Sequence, residues 1–378
     1  ILDGVEFSRI QIFRLQKMKK LLVVADSPGA AEFIAPVIPR IGEHFECFII
    51  SVGDPPMRIL APCQPHRVDT EDSAIQLFHA VRPDAILIGT SSLTLGPYAT
   101  GAIVRSAAAK KLPIICYQDY WANHRQPMNK EMMRLWGMVI APDFLAEQFL
   151  REDGYKGPIA VTGHPGFEKF TSIDMHAHRH AVRCCYGVPE EAFFIFYAGA
   201  ATPYGAEWDI RTFKFFLESV STMDVRPIVL VSPHPRDEDP GRYQKMANEL
   251  AVSIRSPDTG DTGDGVLPGA DCVVGMYATT LLHACYLRIP AVSILLPNGG
   301  SIRFREIGLS DFPPNTVGAV IGIYEPSPEM LSRTFARIRD DTAFKNTLHS
   351  AQERFLPRLA DAPSKKVLEA VINFLKNE

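Results

Sequence analysis

Short, continuously apolar runs recur along the first half of the chain. They are LLVVA (21–25), CFIIS (47–51), AILIG (85–89), PIICY (113–117), MVIAP (138–142) and IAVTG (159–163). Stretches with helical periodicity separate most of these runs, and Gly, Pro and Asp commonly bound them. Runs that are apolar at every position suit strands of a parallel sheet that is covered by helices on both faces. The pattern therefore predicts a domain built from βα repeats.

A second series of apolar runs follows an interruption. The segment 164–190 breaks the rhythm with Pro165, a His-rich stretch and Pro189. The runs then resume as FFIFYAG (193–199), PIVLVSP (227–233), DCVVGM (271–276), AVSILLP (291–297) and VGAVIGI (317–323). Two such halves predict an α/β protein with two Rossmann-like domains that face each other across a cleft. We place the first domain at 18–170 and the second at 171–362.

The two ends of the chain lie outside this alternation. The last predicted helix, 364–376, has an apolar stripe formed by Val367, Ala370, Val371 and Phe374. We therefore expect residues 363–378 to pack back on the first domain. At the other end, Met18 directly precedes the first apolar run, so we interpret residues 1–17 as an upstream extension or tag remnant.

Composition narrows the class of protein. A chain of 378 residues is too long for one ordinary core. Its 39 Lys and Arg against 43 Asp and Glu give a net charge of −4, which disfavours a dedicated nucleic-acid binder. No apolar run is long enough to predict a transmembrane helix. The seven cysteines form no CxxC pair, and Cys116 and Cys272 lie in apolar runs. We therefore expect reduced, buried thiols and a cytoplasmic location.

Candidate acid–base residues follow strands of the first half. In open α/β sheets, ligands bind beyond the carboxyl ends of the strands. Asp119 follows the fourth run, with His124 five residues further on, and Asp26 follows the first run. A carboxylate or an imidazole at this edge could accept the proton of a substrate hydroxyl. The structural alternative is that Asp119 caps a turn and pairs with Arg125.

The second half has the features of an anion site at the same edge. Glycine lets backbone approach an anion, a helix start offers free N–H groups, and His or Arg can donate charge-assisted bonds. A threonine before a helix is also a common cap, and a His-Pro pair a common turn, so each feature has a structural alternative. The candidate residues are Gly199, Ala200, Thr202, His234, Arg236, Tyr277, Thr279 and Thr280.

Several other chemistries lose their main support. The sequence contains no GxGxxG, GxxxxGK[ST], HExxH or GxSxG motif. The run DTGDTGDG (258–265) repeats Asp-Thr-Gly, the tripeptide of aspartic proteases, but two abutting copies cannot come from two lobes. We interpret this run as a loop.

Longer stretches resemble the GT-B superfamily of nucleotide-sugar enzymes. PDAILIG, KLPIICYQD and VIAPDFLAEQFLREDGYKGPIAVTGHPGFEKF follow the order found in hydrolysing UDP-N-acetylglucosamine 2-epimerases. SPHPRDED is similar to a His-Pro motif of bacterial cell-surface glycosyltransferases, and ADCVVGMYATTLLHACYLRIPAV to the donor-binding strand and helix. The resemblance covers roughly residues 18–300 and implies the GT-B fold.

The resemblance also implies an activity. It implies a metal-independent glycosyltransferase without a cofactor, which moves a sugar from a UDP-, CDP- or CMP-linked donor to an acceptor hydroxyl in glycan biosynthesis. The acceptor would be a glycan or a small molecule, and a lipid-linked one would add peripheral membrane contact. Asp119 or Asp26 would be the base, and His283 occupies the place where many members have a ribose-binding glutamate.

Departures from the epimerase pattern leave two alternatives open. Gly89-Thr90-Ser91 replaces an acidic Gly-Asp-Thr, and YAGAATPYG lacks the epimerase histidine. A true 2-epimerase is therefore not expected. A nucleotide-sugar hydrolase or an epimerase-like enzyme is the first alternative, and a non-catalytic GT-B scaffold is the second.

Overall fold

The computed structural model describes residues 18–90, 96–200, 206–234, 237, 239–257, 263–297, 305 and 308–378, apart from the side chains at 55, 96, 97 and 206. Two parallel sheets organise these residues. Each sheet is formed by one of the two series of apolar runs, as the sequence predicts. The chain is thus an α/β protein with two βα-repeat domains.

The first sheet has seven strands in the order β3-β2-β1-β4-β5-β6-β7, and neighbouring strands pair in parallel. The order places β1, β4 and β5 at its centre. Their carboxyl ends lead into Asp26, Thr90 and Asp119. The strands are β1 (Lys20–Ala25), β2 (Glu46–Val52), β3 (His66–Val68), β4 (Ala85–Gly89), β5 (Ile114–Tyr117), β6 (Met138–Ala141) and β7 (Ile159–Val161).

The second sheet has six described strands in the order β10-β9-β8-β11-β12-β13, again in parallel. The carboxyl ends of β8, β9 and β11 lead into Gly199, Pro233 and Met276. These strands are β8 (Phe194–Ala198), β9 (Ile228–Ser232), β10 (Ile254–Arg255), β11 (Cys272–Gly275), β12 (Ala291–Ile294) and β13 (Ile321–Ile323).

Helices cover both faces of each sheet, so the central strands are buried apart from Lys20 at the start of β1. The helices of the first domain are α1 (Pro28–Ile34), α2 (Ile38–Gly42), α3 (Asp54–Leu60), α4 (Glu71–Val81), α5 (Gly96–Ala109), α6 (Pro127–Met132) and α7 (Phe144–Glu152). Those that follow are α8 (Met175–Cys185), α9 (Ala206–Ser221), α10 (Gly241–Glu249), α11 (Gly263–Val266), α12 (Thr279–Leu287), α13 (Pro313–Thr316), α14 (Pro328–Asp340), α15 (Thr342–Phe355) and α16 (Pro363–Asn377). In the described part of the chain, no helix is long and apolar enough to cross a membrane.

The chain passes between the domains twice, and the two crossings lie side by side. The first crossing is residues 162–165 and continues into a 3-10 helix, Pro165–Phe170. The second is residues 356–363, after which α16 packs on the core of the first sheet through Val367 and Val371. Gly163, whose φ of 85° favours glycine, lies where a Cβ would be 2.9 Å from Leu359. Two adjacent segments of the chain therefore connect the domains.

The seven cysteines are all free, and Cys116, Cys272 and Cys285 are buried. Burial raises the pKa of the Cys116 and Cys272 thiols well above the usual value. Both positions therefore agree with the predicted buried, reduced thiols.

Candidate active site

Asp119 is held at the carboxyl end of the first sheet by two side-chain donors. Its Oδ1 accepts a hydrogen bond from Thr90 Oγ1 at 3.2 Å and another from Asn123 Nδ2 at 3.0 Å. The side chain is half-buried, so water or a ligand can reach the carboxylate. These two hydrogen bonds fix the orientation of the carboxylate. Its role as a general base stays a prediction from the sequence.

Asp26, the other candidate base, is more enclosed. It is 2% exposed, and its Oδ2 accepts a hydrogen bond from Thr100 Oγ1 at 2.7 Å. Between the two carboxylates, the more accessible Asp119 is therefore the better placed to meet a substrate hydroxyl.

Helix α1 starts against Asp119. Ser27 caps this helix by accepting a hydrogen bond from the Ala30 amide, and Pro28 occupies its first turn. A Cβ built on Gly29 would lie 2.3 Å from Asp119 Oδ2. The lack of a side chain at Gly29 therefore leaves room for the Asp119 carboxylate.

Replacing Gly29 by alanine should therefore displace the Asp119 carboxylate. We expect Gly29→Ala to lower kcat by about 10- to 100-fold, because misplacing a catalytic group by about 1 Å has effects of this size. Steady-state kinetics would measure the loss. Gly42→Ala is the matched control, since a Cβ there meets nothing within 4 Å. Equal activity of the two variants would contradict the assigned contact.

His124 is tied into the wall of the first domain. Its Nδ1 lies 2.7 Å from Gln118 Nε2, and its Nε2 lies 2.7 Å from Asp153 Oδ2. The ring is 1% exposed, and burial lowers its pKa below the usual value. Arg125 pairs with the same Asp153 at 2.6 Å and donates to the carbonyl of Gly308 at 2.9 Å. Both ring nitrogens are thus engaged, and the neighbouring Arg125 pairs with Asp153 rather than with Asp119.

Gly199 and His234 meet at the carboxyl edge of the second sheet. The amide of Gly199 donates to Ser232 O at 2.9 Å, and a Cβ at Gly199 would lie 3.2 Å from the backbone N of His234. The structure therefore brings these two predicted loops together. Thr202 and Arg236, also predicted for this site, lie outside the described residues.

A buried carboxylate holds the backbone of Ala200, two residues after β8. Asp209 on α9 is fully buried and accepts hydrogen bonds from Tyr197 Oη at 3.0 Å and from Tyr243 Oη. Arg242 Nη2 lies 3.2 Å from the same carboxylate, whose charge the Ala200 backbone N–H also stabilises. Burial raises the Asp209 pKa above its usual value, against these donors. Asp209 therefore holds the Ala200 backbone in place by accepting a hydrogen bond from its N–H.

Helix α12 begins beside these loops and has no side-chain cap among the described residues. Its N-cap position is Ala278, Thr279 is exposed, and Thr280 and Tyr277 are half-buried. The first-turn N–H groups are therefore not taken by a described side chain, and the positive end of the helix dipole favours an anion there.

A charged cluster joins the two domains next to these helix starts. Lys169 Nζ lies 2.6 Å from Glu32 Oε1 of α1 and 2.6 Å from Asp264 Oδ2 of α11. His283 Nδ1 on α12 lies 2.6 Å from Asp264 Oδ1, and its Nε2 lies 3.8 Å from Glu32 Oε1. Glu32 and His283 each lie four residues into their helices. Both helix starts are therefore about 6 Å from this cluster, measured along each helix axis.

The ionised forms dominate in this cluster. His283 and Lys169 lower the pKa of Glu32 below its usual value, although its burial acts in the opposite direction. Burial also opposes the shifts at Asp264 and Lys169, yet the pKa of Asp264 is lowered well below the usual range and that of Lys169 is raised. Both carboxylates and the ammonium are therefore charged near neutral pH.

Glu32, Asp264 and His283 are also a group, among the described residues, whose ligand atoms lie close enough to hold a metal ion. Carboxylate oxygens and an imidazole nitrogen are suitable ligands. The ammonium of Lys169, however, lies 2.6 Å from an oxygen of each carboxylate, where it supplies the positive charge. An ion would have to displace it.

His164, in the first crossing, packs beside this cluster. Its ring stacks on Phe167 with centroids 4.5 Å apart and meets Phe33 edge-on at 5.0 Å. Its Nδ1 accepts the Gly166 amide at 3.1 Å. Burial lowers the pKa of His164 from 6.5 to about 4.

This lowered pKa predicts a loss of stability in mild acid. The unfolded chain binds the His164 proton more readily than the folded protein does, so stability falls as the pH drops from about 6.5 to about 4. Burial raises the pKa of Asp143 to about 6. Protonation of Asp143 therefore favours the folded protein as the pH drops below about 6, which opposes the effect of His164. Chemical unfolding should therefore compare the protein with His164→Asn, which keeps an acceptor. We expect the variant to lose about 2 kcal/mol less across this range. Exposed His79→Asn should behave like the parent, and an unchanged slope for His164→Asn would contradict the assignment.

The sequence did not indicate Glu32, Lys169, Asp264 or Asp209 as site residues. Asp264 lies in the run interpreted only as a loop, and none of the four belongs to a recognisable motif. His283 was singled out for donor binding, and the structure places it in the interdomain cluster, 4% exposed between Phe167 and Phe170.

No protein-family model and no curated protein sequence matches the chain. Solved structures do match it. A UDP-GlcNAc 2-epimerase from Neisseria meningitidis bound to UDP-GlcNAc aligns with a TM-score of 0.65 and 12% identity over 95% of this chain and all (100%) of its own. A glycosyltransferase from Rickettsia africae aligns with a TM-score of 0.61 and 13% identity over 96% of this chain and 100% of its own. MurG from Acinetobacter baumannii aligns with a TM-score of 0.62 and 11% identity over 94% of this chain and 99% of its own.

These likenesses, together with the two parallel sheets, show that the chain has the two-domain GT-B fold. The resemblance drawn from the sequence is confirmed at the level of the fold.

Proposed function

We propose that the protein is a glycosyltransferase that moves a sugar from a nucleotide-linked donor to an acceptor hydroxyl. The observation that carries the proposal is the half-buried Asp119 carboxylate, held by Thr90 and Asn123 at the carboxyl end of the first sheet. We propose that it borders the same interdomain crevice as the start of α12, which has no side-chain cap among the described residues. A base and an anion site on opposite walls of one crevice match the two needs of glycosyl transfer.

In the proposed reaction, Asp119 accepts the proton of the acceptor hydroxyl. The acceptor oxygen forms a bond to the anomeric carbon as the bond from that carbon to the phosphate oxygen breaks. The electron pair and the negative charge leave with the nucleotide. The first turn of α12 at Thr279 and Thr280, together with the loops at Gly199 and His234, stabilises that charge.

The charge cluster supports a mechanism without a metal ion. Lys169 provides a fixed positive charge between the domains, and its contacts reach Glu32 in the second turn of α1 and Asp264 beside α12. We propose that this arrangement holds the closed crevice and excludes water, so that the donor is transferred rather than hydrolysed.

The donor site is tested by thermal unfolding with UDP, CDP, CMP, GDP and ADP, each with and without magnesium. A nucleotide present at 100 times its Kd stabilises the folded protein by about 2.7 kcal/mol, which raises Tm by several degrees. We expect one nucleotide to act selectively and without magnesium. No shift with any of the five would favour the non-catalytic scaffold.

Product analysis separates transfer from the alternative of hydrolysis or epimerisation. The 2-epimerase bound to UDP-GlcNAc shares this fold, so the sugar nucleotides of the selected base are incubated with the protein and followed by NMR. Transfer leaves the donor largely intact until an acceptor is added. Inversion at C2 or rapid release of free sugar without an acceptor would replace the transferase proposal by the epimerase or the hydrolase.

A further inference from the structure

A cavity of about 260 Å³ lies between the two interdomain crossings. Gly163 and His164 of the first crossing and Leu356, Leu359 and Pro363 of the second line it. A buried apolar cavity of about 150 Å³ is enough to take up benzene, so this volume suffices for a short alkyl chain or a ring system. The cavity is separated from the charged cluster by the ring of Phe167, which contacts both His164 and His283.

The lining is mainly apolar and continues to the surface. Phe355 and Tyr286 contribute to its wall, and Phe144 and Val161 are 48% and 43% exposed. Large exposed apolar side chains beside a concave apolar surface are typical of ligand sites. Val161 ends β7, the edge strand of the first sheet, so the cavity opens at that edge.

Two basic side chains of the lining form no ion pair within the described residues. Arg354 and Lys366 line the cavity, and neither side chain has a hydrogen bond or an ion pair with a described residue. The acidic member, Asp143, is already satisfied, because Oδ2 accepts from Trp121 Nε1 at 2.8 Å and Oδ1 from the Ala146 amide at 2.9 Å. Asp361 interacts electrostatically with Lys366 without forming a recorded ion pair. The cavity therefore combines an apolar interior with two basic side chains that have no direct acidic partner among the described residues.

We propose that this cavity binds a single-chain anionic amphiphile from solution, with its apolar chain inside and its carboxylate or phosphate at Arg354 and Lys366. The volume suits one short chain rather than the two chains of a bilayer lipid. The site is distinct from the proposed donor and acceptor crevice, and it does not depend on the glycosyltransferase proposal. Because both crossings contribute to the wall, an occupant touches both connections between the domains.

Calorimetric titration with octanoate tests the site, with octanol and acetate as uncharged and chainless comparisons. We expect saturable binding of one octanoate per chain, weaker binding of octanol and none of acetate. Arg354→Gln combined with Lys366→Gln should weaken octanoate binding by about tenfold, because charge-assisted bonds are lost. Octanol binding should change by less than about twofold in the same variant.

Two further variants complete the test. Lys376→Gln removes a charge from the same helix about 15 Å away along its axis and should leave octanoate binding unchanged. Leu359→Trp should fill the cavity and abolish binding of octanoate and octanol. If Leu359→Trp fails to fold, the variant with Arg354→Gln and Lys366→Gln still tests the site, because both positions are accessible from the surface. The proposal is overturned if octanoate does not bind saturably, if the double variant binds it normally, or if the protein binds only anionic phosphatidylglycerol vesicles.

Discussion

Asp119→Asn is expected to lower kcat by about 10²- to 10⁴-fold, the range that general base catalysis contributes. Asparagine keeps the shape of the side chain and can still accept from Thr90 Oγ1, which lies 3.2 Å from Oδ1. It cannot accept the acceptor's proton. KM for the donor should change little, because Asp119 belongs to the opposite domain from the proposed anion site. Steady-state kinetics with the nucleotide-sugar identified by thermal unfolding would measure both constants.

The matched control is Asp153→Asn, which changes a carboxylate of the same domain that pairs with His124 and Arg125. It should reduce kcat far less than Asp119→Asn does. If Asp119→Asn retained full turnover, Asp119 would be removed from the mechanism. Asp26, 2% exposed and bonded to Thr100, would then be the next carboxylate to replace.

Asp209→Ala should have the largest effect on stability. The change leaves Tyr197 Oη and Tyr243 Oη without their acceptor and Arg242 without one of its two carboxylates. Breaking a buried charged network of this kind costs about 3–5 kcal/mol, and we expect Tm to fall by about 10 °C. Denaturant unfolding would measure the loss. The variant should also bind the nucleotide more weakly, because the Ala200 amide loses its anchor.

Asp239→Ala provides the comparison, since Asp239 is exposed in the same domain. Substitutions at such surface positions usually change stability by no more than about 0.5 kcal/mol. Equal losses for the two aspartates would show that the network around Asp209 contributes little. A stable Asp209→Ala protein with normal nucleotide affinity would remove its positioning role.

The apolar runs predict the central strands because burial on both faces demands apolar residues at successive positions. All eleven runs contain a strand. The two strands that the runs do not predict are β3 and β10, which form one edge of each sheet. They are three and two residues long and include half-exposed or exposed positions. Such short edge strands have no continuous apolar signal.

The candidate site was predictable only where it follows directly from a strand end. Asp119, Gly199 and Thr279 lie at the end of an apolar run or within three residues of it. The rule that ligands bind beyond the carboxyl ends of parallel strands therefore locates them. Lys169 contacts Glu32 across 137 positions of sequence and Asp264 across 95. Contacts of that separation depend on how the two domains pack, which no local pattern encodes. His124 and its partner Asp153 lie in the same domain but 29 positions apart, and no local pattern pairs them either.

The return of α16 to the first sheet makes the second domain an insertion within the first. Both ends of that insertion leave from neighbouring points, where Ser364 Oγ donates to Glu168 Oε2 at 2.9 Å and Gly163 lies against Pro363. The two connecting segments run in opposite directions side by side, and together they restrict twisting of one domain against the other. The domains can then swing about essentially one axis. The same proximity means that the insert could be excised and its flanks rejoined by a short linker, leaving the host domain's terminal helix in place.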